Sequence, residues 1–132
     1  MIESLIPATM PPPLARYAHA VLDAESGLIL TSGQLAFSKN EEIPESAEEQ
    51  SRMIFENIDH ILAEAHSSRE GVLRINAYVT DRQHMAGYMA ARDSWLSTVD
   101  HLPASTLLIV SGFTKPEFVV EIEVTAVKVS AR

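Results

Sequence analysis

Residues 119–129 alternate cleanly between apolar and polar. Val120, Ile122, Val124 and Ala126 fall on one side of an extended backbone, and Glu121, Glu123 and Thr125 fall on the other. That two-residue period marks a strand buried on one face. Such a strand needs a second layer against its apolar side, and the chain supplies one. Ser46-Ala47-Glu48-Glu49 has the form of a capping box, and Ile54, Ile58, Ile61, Leu62 and Ala65 then recur at helical spacing. This helix is expected to stop around His66-Ser67-Ser68. A second helix is expected from Asp81 as cap to about Leu96, carrying Met85, Tyr88, Met89 and Trp95. Tyr17–Leu22 and Leu28–Ser32 read as strands around a turn at Glu25-Ser26-Gly27, with further strands at Val72–Thr80 and Thr106–Val110.

The order is strand, strand, helix, strand, helix, strand, strand. The first two strands are joined too tightly for a parallel crossover. The expected fold is therefore α+β: one domain over residues 1–132, a mixed β-sheet with both helices packed on one face. Several strands carry apolar residues on both faces, so self-association is the natural cover for the other side of the sheet.

Charge and composition narrow the function. The 132 residues hold 10 Lys plus Arg against 18 Asp plus Glu, a formal charge of −8. Nucleic-acid binding rests on clustered cations, so no nucleic-acid partner is expected. The longest apolar runs, such as Leu107-Leu108-Ile109-Val110, fall far short of a membrane span. Met1-Ile2-Glu3-Ser4 lacks the basic-then-apolar pattern of a signal peptide, and a cytoplasmic protein without membrane partners is expected. With no cysteine, disulfide frameworks, thiolate metal sites and cysteine nucleophiles are excluded.

The five glycines are scattered and make neither a Walker loop nor a dinucleotide fingerprint. His19, His60, His66, His84 and His101 show no metal-ligand spacing, and no metal site is expected. His19 and Tyr17, two apart, would share a side of the first strand. Gly33 follows the second strand, where a backbone can bend or approach a ligand closely. Glu121 and Glu123 share a strand face with their carboxylates about 7 Å apart, a spacing suited to acid–base work on a bound water and equally to a solvated face.

Taken in order, several segments resemble the Rid family (reactive intermediate deaminases, YjgF-type, also called endoribonuclease L-PSP). They are Tyr17-Ala18-His19-Ala20, Leu30-Thr31-Ser32-Gly33-Gln34, Glu49-Gln50 with Glu56-Asn57-Ile58, Ala77-Tyr78-Val79-Thr80-Asp81, Pro103-Ala104-Ser105-Thr106 and Val120-Glu121-Ile122-Glu123-Val124. The resemblance runs from about Arg16 onward. It implies a chorismate-mutase-like subunit in a homotrimer, with its sheets forming an inner barrel and small-molecule clefts between subunits. It also implies hydrolysis of enamines or imines to a carbonyl compound and ammonia, without metal or organic cofactor. By resemblance, Tyr17 and Glu121 position water and move protons, Gly33 lines the cleft, and the Leu107 N–H contacts the substrate carboxylate.

The sequence departs from the family at the carboxylate end. Ser105 stands where the family's deaminases carry an arginine, and Met89 where the second helix commonly has an asparagine. A hydroxyl supplies neither the charge nor the paired geometry of a guanidinium. Arg16, beside Tyr17, and Arg92, one turn beyond Met89, are the arginines placed to substitute, each otherwise a surface cation. The leading expectation is an imine or enamine hydrolase whose substrate is not 2-aminoacrylate. The alternative is a metabolite-binding or sensing module without turnover. Ribonuclease activity, attributed to some relatives, sits poorly with a charge of −8.

Overall fold

The computed structural model describes residues 1–38, 40 and 42–129; residues 39, 41 and 130–132 of the expected domain lie outside the described residues. Six strands and two helices follow in the order β1 (Ile2–Leu5), β2 (Ala20–Asp23), β3 (Leu28–Thr31), α1 (Ala47–Glu64), β4 (Val72–Val79), α2 (Met85–Trp95), β5 (Ala104–Ile109) and β6 (Val120–Val127). They form a single mixed sheet in the spatial order β1-β2-β3-β6-β4-β5. Only β4 and β5 run parallel, joined through α2; the other neighbours are antiparallel.

β6 lies inside the sheet, and its alternation organises both faces. Val120, Ile122, Val124 and Ala126 are at most 2% exposed and meet Ile29 of β3 and Ile75, Ala77 and Val79 of β4 in one core. Both helices close over this side. Ile54, Ile58, Ile61 and Leu62 of α1 are fully buried. Between the helices Phe55 stacks on Trp95, with centroids 4.6 Å apart, and on Tyr88 at 6.3 Å. The helices approach closely at Gly87, where a Cβ would lie 2.9 Å from the Glu48 nitrogen. The other side of the sheet has no covering layer among the described residues and carries Leu30, Leu108, Asn76, Tyr78, Glu121, Glu123 and Thr125.

The local signals act as expected in α1. Ser46 accepts a hydrogen bond from the Glu49 N–H, and His66 ends the helix in the left-handed region with φ 59°. At α2 the cap is displaced: Asp81 accepts from the Gln83 N–H and starts a short 3-10 turn at Arg82–His84, from which α2 continues.

Two expectations are corrected. β1 is an additional strand; its four residues pair with β2 at the sheet edge and only Leu5 is buried, so no periodicity announces it. The expected first strand begins at Ala20 rather than Tyr17. The chain ahead of it bends instead, because the His19 Nε2 bonds back to the Pro11 carbonyl at 2.8 Å and holds the proline segment against the domain.

Candidate active site

Glu121 projects from β6 onto the open side of the sheet, opposite Tyr78 of β4, while Glu123 lies opposite Asn76. The Tyr78 hydroxyl and the Asn76 amide both donate to Glu123 Oε2, at 3.3 Å and 3.2 Å. No donor among the described residues reaches the Glu121 carboxylate. Burial, together with the Glu123 charge two residues away, holds the Glu121 carboxyl above the usual range. Burial and the same Glu123 carboxylate push the Tyr78 phenol up. Glu121 is thus half-buried, electrostatically strained and free to bond a ligand or water.

The space for it comes from an irregularity beside β3. Ladder pairing places Leu30 opposite Thr125 and resumes with Gln34 opposite Ile122, so the β3 side carries one extra residue. The Thr31 hydroxyl accepts the Val124 N–H at 2.9 Å, replacing the lost ladder bond. Gly33 lies in this bulge. A Cβ there would lie 2.6 Å from Glu121 Oε2, so the glycine makes room for the carboxylate.

Gly33 also lines a cleft with Tyr17, His19, Gln34, Phe37 and the segment Pro11-Pro12-Pro13-Leu14. Tyr17 is 46% exposed and ready to meet a ligand. His19 is buried and committed to structure: besides Pro11, it lies 3.4 Å from the Gln34 amide through Nδ1. Gly33 thus borders both the cleft that Tyr17 lines and the Glu121 carboxylate, while Glu121 itself is not among the residues lining that cleft. The strand alternation that joined Tyr17 to His19 does not apply, because both precede β2, but the two residues do line the same cleft.

Ser105 and Leu107 lie on β5 at the far edge of the sheet, and Met89 lies on α2. Ser105 and Leu107 lie beside Ile75 and Ala77 in the parallel register, so their side chains point toward the helices, away from the face that carries Glu121. Among the described residues β5 is a free edge of the sheet. The Val110 N–H donates to the Val79 carbonyl; by strand alternation the Leu107 N–H points outward from that edge. Met89 is 38% exposed on α2. Arg16 is exposed, but Arg92 is no free surface cation: its side chain is 24% exposed and its guanidinium lies over the Tyr88 ring, 5.6 Å from the centroid. Asn76 and Tyr78 reach these positions only through the register of β4 on β6, which the sequence alone does not announce.

Comparison with known proteins identifies the class. The profile of the endoribonuclease L-PSP family matches residues 8–128, nearly the whole chain. A RutC family protein of Aquifex aeolicus is 30% identical over 119 residues, covering 89% of this chain and 93% of the relative. Protein MMF1, mitochondrial, of Saccharomyces cerevisiae is 27% identical over 103 residues, covering 77% of this chain and 68% of that protein. In structure, the Rid-family protein YyfA of Yersinia pestis superposes with a TM-score of 0.88 at 21% identity, over 96% of this chain and 99% of that one. The chain belongs to the endoribonuclease L-PSP family, the Rid or YjgF proteins. Its fold is theirs, a mixed sheet with two helices on one face. Among the described residues no helix is long and apolar enough to cross a membrane.

Proposed function

We propose that the protein is a cofactor-independent hydrolase of a reactive imine or enamine other than 2-aminoacrylate, acting in clefts between the subunits of a homotrimer in the cytoplasm. The observation that carries this reading is the Glu121 carboxylate: half-buried, unbonded, raised in pKa and given room by Gly33. A carboxylate so placed can take a proton from water as the oxygen attacks the imine carbon. With the imine protonated, the addition gives a neutral carbinolamine; returned to its nitrogen, that proton lets the C–N bond break as the carboxylate takes the hydroxyl proton, leaving a carbonyl compound and ammonia. Tyr17 at the cleft wall hydrogen-bonds the water or the departing nitrogen. Ser105, Leu107 and Met89 shape the substrate end. They occupy the opposite face and edge from Glu121 in one chain, so a neighbouring copy must bring its β5 edge to this chain's Glu121. A charge of −8 favours a small molecule over RNA as the partner.

The test is ammonia release from freshly generated 2-aminoacrylate and 2-iminobutyrate by wild type, Ser105→Arg and Glu121→Gln. The expected order on 2-aminoacrylate is Ser105→Arg above wild type, with Glu121→Gln at the uncatalysed rate. Full activity in Glu121→Gln sinks the mechanism. Ser105 itself favours a second reading, metabolite binding without turnover; inactivity of both wild type and Ser105→Arg would move that reading ahead, and a co-purifying ligand that stays chemically intact would support it.

A further inference from the structure

Of the five histidines, His19 alone is buried, and both its ring nitrogens meet neighbours that fix its protonation. Nε2 lies 2.8 Å from the Pro11 carbonyl, which can only accept, so Nε2 carries a hydrogen. Nδ1 lies 3.4 Å from the Gln34 amide nitrogen. That same nitrogen donates to the Ser32 carbonyl at 3.4 Å, so it is a donor at both contacts and Nδ1 accepts. The two ends agree on one neutral tautomer, with the hydrogen on Nε2. A ring protonated on both nitrogens would set Nδ1–H against the Gln34 amide. Turning that amide over would set its oxygen against the Ser32 carbonyl instead.

These contacts join two pieces of the site. Pro11 begins the tip over residues 12–17, in which Leu14, Ala15, Arg16 and Tyr17 are exposed. At the other end of the tip the Ala18 carbonyl accepts the Ser32 hydroxyl at 2.7 Å, and the His19 carbonyl accepts the Ser32 N–H at 2.8 Å. Both ends are thus fastened to Ser32 and Gln34, the residues that flank Gly33. Gly33 stands against the Glu121 carboxylate, and Gln34 is held to Ile122 of β6 by a pair of backbone hydrogen bonds. At the Pro11 end the tie is the imidazole, since a proline offers its carbonyl but no N–H.

We propose that His19 is a positioning residue of the site: its neutral imidazole ties Pro11 to the bulge at Gly33 and so sets where the Tyr17 phenol stands relative to the Glu121 carboxylate. The ring is buried and does not itself meet substrate. The proposal deepens the hydrolase reading and takes from it the roles of Tyr17 and Glu121. A phenol displaced by about 1 Å from the reacting water loses much of its effect on rate, while substrate contacts elsewhere are kept. The signature of that role is a fall in kcat with KM little changed.

Two conservative variants separate the contacts. The glutamine Nε2 stands about as far from the backbone as the imidazole Nε2 and can donate to Pro11; asparagine reaches only the Nδ1 position. Wild type, His19→Gln and His19→Asn are compared as the full chain. In wild type at pH 7 the imidazole ¹⁵N shifts should show one neutral ring protonated on Nε2. Trypsin cleaves after Arg16 in the tip and, once α1 unfolds, after Arg52; the ratio of the two rates separates loosening of the tip from loss of global stability. That ratio should rise about fivefold in His19→Asn through the loss of one buried hydrogen bond, and stay within about twofold of wild type in His19→Gln. In the ammonia assay kcat should fall about tenfold in His19→Asn with KM little changed, and His19→Gln should recover most of it. A ring that is charged or protonated on Nδ1 overturns the proposal, as does an unchanged cleavage ratio in His19→Asn. So does a loosened tip with full kcat. Should His19→Asn fail to fold, a loosened tip in His19→Gln overturns the tie to Pro11. The tautomer and the cleavage ratio need no substrate, so an enzyme inactive in the ammonia assay counts against the hydrolase reading and leaves the tie standing. Failure of the tie leaves the water chemistry at Glu121 standing.

Discussion

Replacing Glu121 by glutamine removes a charge while removing no hydrogen bond that the described residues make. The carboxyl is raised above its ordinary 4.5 by burial and by Glu123, so its charged form is disfavoured in the folded state. The linkage sign follows. Below 4.5 the group is protonated in folded and unfolded chains alike, and its favourable contribution is complete. As pH rises through the raised value the folded carboxyl must ionise against its surroundings, and that contribution is lost. At pH 7 the ionised carboxylate is therefore a burden on the fold. Burial is the larger part of this burden; the Glu123 part can be sized, since two charges about 7 Å apart repel by about 0.6 kcal/mol in water and about 2.4 kcal/mol at an effective dielectric of about 20. Both carboxylates are partly exposed, so solvent and salt bring the value to about 1 kcal/mol. Glu121→Gln should raise the thermal midpoint by about 3–5 °C at pH 7, while abolishing imine hydrolysis. Scanning both proteins from pH 7 to pH 4 at one protein concentration and low salt is the assay, since self-association also shifts the midpoint. The gain should shrink steadily toward pH 4 and diminish in 1 M salt. A glutamine variant less stable than wild type at pH 7, or a gain independent of pH, would refute the electrostatic account of this carboxylate.

Other positions give sharper structural tests. Gly33→Ala places a methyl 2.6 Å from Glu121 Oε2; the carboxylate must swing away, and turnover should fall by at least about tenfold with a stability loss of about 1 kcal/mol or less. Glu123→Gln removes the repulsion that helps raise Glu121, so the acid limb of the rate profile should move to lower pH, and the Tyr78 phenol should titrate at lower pH; an unmoved acid limb would remove Glu123 from the site. Gln50 is fully buried in α1 and makes three hydrogen bonds, donating to the Pro44 and Glu117 carbonyls and accepting from the Val119 N–H. Gln50→Ala strands those groups and should cost about 2–4 kcal/mol in chemical denaturation. Gly87→Ala drives a methyl against the Glu48 backbone, 2.9 Å away, and should cost about 1–3 kcal/mol by forcing α2 off α1.

The residues that announced the fold are those whose environment is set by their own neighbours in sequence. β6 alternates because one side is core, and α1 shows its cap and stripe because both are local. β1 escaped because an edge strand of four residues with a single buried side chain carries no period. The pairing of Asn76 and Tyr78 with Glu123 and Glu121 was hidden for a different reason. Register on β4 shifts between Val72 and Arg74, and one residue of slip would have turned both side chains to the other face. His19 belongs with these: its burial depends on a proline carbonyl eight residues earlier, a contact made only when the chain bends ahead of β2.

The same strand logic explains why the site divides as it does. Glu121 stands on the uncovered side of the sheet, whereas Ser105 and Leu107 point to the helix side of an edge strand, with β4 between them. No side-chain rotation within one chain closes a cleft over both groups. The proposed chemistry therefore requires that the free β5 edge of one copy, where the Leu107 N–H faces outward, lie against the bulge and Gly33 of the next. An apolar and carboxylate-bearing sheet face left uncovered in the chain argues for the same association. The catalytic carboxylate would then be paired with a substrate grip it cannot reach alone, and activity would follow subunit assembly rather than folding. Dilution that separates the subunits while each keeps its secondary structure should abolish turnover; a monomer as active as the assembly would place the whole site within one chain and contradict this division.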